Sequence, residues 1–67
     1  MQSDQLRKAL RELNGLRDLR IEFSGAHACI VKKALLIPEE ADGLVKVTDG
    51  SHVYIVDSDR VTWIEIG

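Results

Sequence analysis

The chain of 67 residues contains one cysteine, one proline and one each of tryptophan, tyrosine and phenylalanine. A lone Cys29 excludes a disulfide within the chain, so one of the usual staples of very small domains is missing. No apolar run approaches the ~20 residues that span a bilayer. The N-terminus, MQSDQLRKALREL, is charged from residue 4 onward and lacks the hydrophobic stretch of a secretory signal. An unpaired cysteine without a signal fits a reducing cytosol, so the expected compartment is cytoplasmic, with no membrane partner. No CxxC or HxxxH spacing occurs, and no glycine-rich oxyanion turn. No metal, no cofactor and no catalytic residues are therefore expected.

What is present is charge and alternating apolar residues. Residues 1–33 carry seven basic against four acidic side chains, and residues 34–67 carry two basic against seven acidic, within a net charge of −2. A basic front and an acidic back can attract each other within one molecule or between copies. At this length one domain spanning 1–67 is expected, with a core that rarely supplies more than roughly 3–5 kcal/mol.

Leu6, Ala9, Leu10 and Leu13 recur at helical spacing, which predicts an amphipathic helix over 4–14. Ser3 or Asp4 is the expected cap, and Asn14-Gly15 the expected stop, with Leu16 folding back toward Leu10. Three turns of helix are marginal alone, so the leucine stripe must dock on something. The rest reads as strand, over about 19–23, 26–33, 44–48, 52–57 and 61–66. Ser24-Gly25 predicts a two-residue hairpin that sets Leu19 against Ile30 and Ile21 against Ala28. The second strand either runs on to Ile37, bending near Lys32-Lys33, or gives way to a short crossover. PEEADG reads as a tight turn closed by Gly43. Asp49-Gly50 predicts a second two-residue hairpin, and DSDR a turn that pairs the last two strands, Tyr54 beside Trp63.

That three-stranded meander has two oily faces. Leu44, Lys46, Val53, Ile55, Thr62, Ile64 and Ile66 occupy one, and Val45, Val47, His52, Tyr54, Val56, Val61, Trp63 and Glu65 the other. Both must be covered, by the helix, the first hairpin or another chain. The expected fold class is α+β, mainly β: a helix and about five antiparallel strands in a strongly bent sheet or small barrel. The expected function is a non-enzymatic interaction or adaptor module that self-associates, as a dimer or ring, through its C-terminal strands. Val45, Val47, Tyr54, Val56, Val61 and Trp63 are the candidate interface.

The helix SDQLRKALRELN, the LRIEF hairpin and YIVDSDRVTWIEI together resemble the Sm-like fold and, more broadly, SH3-like small barrels. The resemblance implies an N-terminal helix before a five-stranded barrel, subunits joined in a ring through the last two strands, and RNA as ligand. LLIPEEADG stands where that family carries a glycine-bearing second strand and an Asp/Asn loop. An alternative function follows, RNA or DNA binding by the basic cluster Arg7, Lys8, Arg11, Arg17 and Arg20, against its plainer reading as a solvated surface.

Three smaller constellations remain. His27 and Cys29 lie two apart on one expected strand, which suits a nucleophile–base pair or, with His52, a zinc site; a small buried cysteine and a histidine near Glu22 account for them equally. Asp57 and Asp59 are too few for calcium and fit turn chemistry. Glu39-Glu40 after Pro38 fits a helix start.

Overall fold

Alternating burial and a single leucine stripe generate most of the architecture seen in the computed structural model, which describes residues 1–67. Helix α1 runs Ser3–Leu10, followed by β1 (Leu19–Phe23), β2 (Cys29–Val31), β3 (Leu35–Leu36), β4 (Val45–Thr48), β5 (Val53–Val56), a 3-10 turn at Ser58–Arg60, and β6 (Val61–Ile66). The six strands form two antiparallel three-stranded sheets, sheet A in the order β2-β1-β6 and sheet B in the order β3-β4-β5. The fold is thus α+β and mainly β, but the sheets are not closed into a barrel.

Leu6, Leu10 and Leu13 of the leucine stripe are buried, although the helix ends at Leu10 rather than residue 14. Past that point the amides of Glu12 and Leu13 bond to the carbonyls of Ala9 and Leu10, the tighter i→i−3 pattern that closes helix ends. Gln2 sits at the cap position with no side-chain cap, so neither Ser3 nor Asp4 plays that role. Gly15 has φ +82 and donates to the Ala34 carbonyl at 3.0 Å. Leu16, expected to fold back, is 78% exposed.

The first hairpin pairs Leu19 with Val31 and Ile21 with Cys29, one residue out of step with the expected register. A one-residue slip turns a strand over. Val31 therefore enters the core at 1% exposure and Ile30 points outward, where the reverse was expected. The inner face of β2 thus carries Val31 and Cys29 in place of Ile30 and Ala28. The strand does bend at Lys32-Lys33. Lys33 has φ +48, and its amide donates to Asp18 Oδ1 at 3.0 Å while Ala34 N–H donates to the Arg17 carbonyl at 2.8 Å. These bonds hold the turn that passes the chain from sheet A to sheet B.

In the second hairpin Val47 pairs with Tyr54 and Val45 with Val56, two residues out of step. A slip of two keeps every side chain on its face. The loop is Asp49–His52 rather than Asp49-Gly50 alone, because the Asp49 carboxylate accepts the amides of Ser51 and His52 at 2.8 and 2.7 Å. The expected β5–β6 pairing does not form. The 3-10 turn diverts β6 to the edge of sheet A, where it runs antiparallel to β1, pairing Ile21 with Ile64 and Glu22 with Trp63. A bulge leaves Thr62 unpaired, its hydroxyl donating to the Glu22 carbonyl at 3.1 Å. The bulge shifts the phase of the strand, so Val61, Ile64 and Ile66 all turn inward although their parity differs.

One cluster of eleven buried side chains joins the helix to the inner faces of both sheets: Leu6, Leu10 and Leu13 with Leu19, Ile21, Val31, Ala34, Val45, Val47, Val56 and Val61. The helix packs on β3, β4 and the 3-10 turn. Lys33 carries a left-handed backbone that costs an ordinary residue about 1–2 kcal/mol, while glycine loses about 0.5–1 kcal/mol to chain entropy. Lys33→Gly is accordingly expected to raise stability by ~0.5 kcal/mol in urea unfolding, and Lys33→Val to lower it.

Candidate interaction surface

Each sheet has a covered inner face, so the site question concerns the outer ones. On sheet A, Arg20, Glu22, Ile30, Trp63 and Glu65 point outward. The Arg20 guanidinium bonds to Glu22 Oε1 at 2.9 Å and lies 5.8 Å from the centre of the Trp63 ring. Charged groups interrupt the apolar ones, as on an ordinary solvated sheet.

The outer face of sheet B is different. One row runs Leu35–Thr48–Val53 across all three strands, and Lys46 lies beside Ile55 in the next, with Leu44 below. Val53 is 58% exposed, Ile55 62%, Leu44 45% and Leu35 44%. The only cation on this face, Lys46, is bent into the turn after Pro38, where Nζ bonds to Glu40 Oε1 and Asp42 Oδ2, both at 2.6 Å. Those bonds hold the Lys46 amine above its ordinary pKa and the Asp42 carboxyl below its own, the Asp42–Lys46 bond contributing most to each. The lysine stem thus lies along the sheet, with its charge neutralised at the edge. Below, a groove of about 360 Å³ is lined by Leu44, Ile55, Asp57 and Asp59 among others.

The structure places the candidate interface residues away from this face. Val45, Val47, Val56 and Val61 are core residues, and Tyr54 is half-buried on the inner face. Trp63, half exposed, lies on the outer face of the other sheet and is no neighbour of Tyr54. The uncovered residues are Leu35, Leu44, Val53 and Ile55 instead. The sequence held a signal for this: Lys46 shares a face with Leu44, Val53 and Ile55, whereas the opposite face of β4 and β5 carries no charge. A strand face bearing a lysine is the one that stays wet.

The basic cluster is divided. Arg7 is 6% exposed, donates to the Gly43 carbonyl at 2.6 Å and lies 3.6 Å from Glu39 and 3.8 Å from Asp4, so it fastens the helix to the turn before β4 and is withdrawn from any external phosphate. Lys8, Arg11 and Arg17 are exposed without ion partners, and Arg20 is engaged with Glu22. His27 is exposed outside any strand, Cys29 is half-buried on the inner face of β2, and His52 is in the loop of the other sheet. No three histidine, cysteine, aspartate or glutamate side chains come together as a metal site, and no helix is long and apolar enough to cross a membrane. No family model matches the chain, and neither a curated protein nor a solved structure does.

The loop at the end of β4–β5 is held by Asp49. Its carboxylate accepts the Ser51 and His52 amides, and Tyr54 Oη donates to it at 3.2 Å. The Ser51 and His52 amide bonds, in that order, lower its pKa from 3.8 to about 2, and burial, followed by the bond to Asp49, raises that of Tyr54. A depressed carboxylate stabilises the fold above its unfolded pKa and loses that contribution as pH falls through the folded value. Stability measured by urea unfolding should therefore decline between pH 3.8 and about 2, and Asp49→Ala should flatten that decline while lowering stability at neutral pH. Arg7→Met leaves the Gly43 carbonyl without its donor and should cost about 1–2 kcal/mol in the same assay.

Proposed function

We propose that the chain is a non-enzymatic interaction module that self-associates through its C-terminal strands, with the outer face of sheet B as the contact surface. The observation that carries this reading is the group of half-exposed Leu35, Leu44, Val53 and Ile55 on the outer face of sheet B, which ends in the edge strand β5 with no neighbour beyond it. Contiguous apolar surface on a small protein marks a binding site. An edge strand with aliphatic side chains and no lysine, proline or bulge lacks the usual devices that keep strands apart. Of the basic cluster, nucleic-acid binding retains only Lys8, Arg11 and Arg17 as free cations, and none of the three lies over an aromatic ring.

Light scattering coupled to size-exclusion chromatography tests the reading. A mass above that of one 7.5 kDa chain is expected at high micromolar concentration, reverting to one chain in Ile55→Glu. A monomer under all conditions contradicts it.

A further inference from the structure

β5 has two edges, and its backbone alternates between them. The Asp49 amide bonds to the His52 carbonyl, which makes Asp49–His52 a hydrogen-bonded pair of the β4–β5 ladder. Pairs alternate along an antiparallel ladder, so Val47–Tyr54 and Val45–Val56 are bonded, and Thr48–Val53 and Lys46–Ile55 are not. The Ile37 amide bonding to the Lys46 carbonyl on the far side of β4 agrees with this phase. The amides and carbonyls of Val53 and Ile55 therefore point away from β4, and no turn, loop or side chain bonds to them. These same residues carry the exposed outward side chains.

The geometry points to a symmetric dimer in which β5 pairs antiparallel with β5 of a second copy, Val53 opposite Ile55 and Tyr54 on the two-fold axis. This rests on the self-association reading above and specifies its edge and symmetry. Free-edge residues must face free-edge residues, and facing residues share a side of the sheet. Pairing β5 with itself satisfies both conditions with valine against isoleucine, forming about four bonds between the copies. It also joins the two apolar outer faces into one across six strands. The free edge of β6 fits less well. The Gly67 amide bonds to the Asp18 carbonyl, so the unpaired groups of β6 belong to Ile64 and Ile66, whose side chains turn into the core. The antiparallel orientation also keeps the two Asp57 carboxylates, which follow the C-terminal end of β5, a strand length apart. A two-fold contact of this kind closes on itself and does not propagate into fibres.

Amide exchange followed by NMR on the unmodified protein, at low and high micromolar concentration, reads the edge directly. Protection of the Val53 and Ile55 amides is expected to rise with concentration, while Tyr54 and Val56, bonded to β4 in either state, stay protected throughout. Ile55→Pro removes a donor that the monomer does not use, and should weaken dimerisation at least about tenfold while leaving the Tyr54 and Val56 amides protected. Association in which protection appears instead at the Ile64 and Ile66 amides, or in which Val53 and Ile55 do not change, overturns this pairing and leaves self-association standing. Absence of association overturns both.

Discussion

The leucine stripe of α1 closes one open side of the core between two short sheets, and a chain of 67 residues has no second helix to cover anything else. Both sheets spend their inner faces on one shared cluster. The outer faces are left to whatever side chains the sequence supplies, and here the two sheets diverge. Sheet A answers with Arg20, Glu22 and Glu65 around its apolar side chains. Sheet B has only Lys46, which Glu40 and Asp42 draw down to the edge. The acidic turn after Pro38 thus does two things at once. It anchors the helix through Arg7 and Glu39, and it removes the single cation from the middle of the outer face.

How the chain reaches two sheets rather than one meander is decided at two short irregularities. Lys33, strained into a left-handed conformation and tied to Asp18, turns the second strand of the first hairpin into the first strand of sheet B. The 3-10 turn at Ser58–Arg60 returns the chain to sheet A, where β6 completes the pairing of β1. Asp57 steadies that turn by accepting the Asp59 amide at 3.2 Å. Neither device is rich in glycine or proline, so neither announces itself as a change of sheet.

This explains what was legible in the sequence. Element types followed from periodicity: the buried leucine spacing, the strand at 19–23 and the strand at 61–66 all stand where the pattern put them. Registers did not follow, because a turn dipeptide does not by itself fix the length of the loop. Asp49-Gly50 suggested a two-residue loop, but the Asp49 carboxylate organises a wider one; the even slip spared the faces. Ser24-Gly25 failed by one residue, and β2 turned over. The apolar excess of the C-terminal strands was legible, and so was its division into two faces. Lys46 alone signalled which face stays outside, while the cover of the other face depends on where the helix docks, a long-range fact that local pattern does not encode. For β6 the puzzle of apolar residues on both parities is resolved by the bulge at Thr62. The burial of Arg7 was equally hidden, since its partner is the backbone carbonyl of Gly43, far along the chain.

If covering the outer face of sheet B belongs to the working state of the protein, then stability and association are linked by mass action. The direct measurement is the urea unfolding midpoint determined over about a hundredfold range of protein concentration. The midpoint should rise steadily with concentration through the micromolar range. A midpoint that does not move would mean that Leu35, Leu44, Val53 and Ile55 remain solvated in the native protein, contrary to this account.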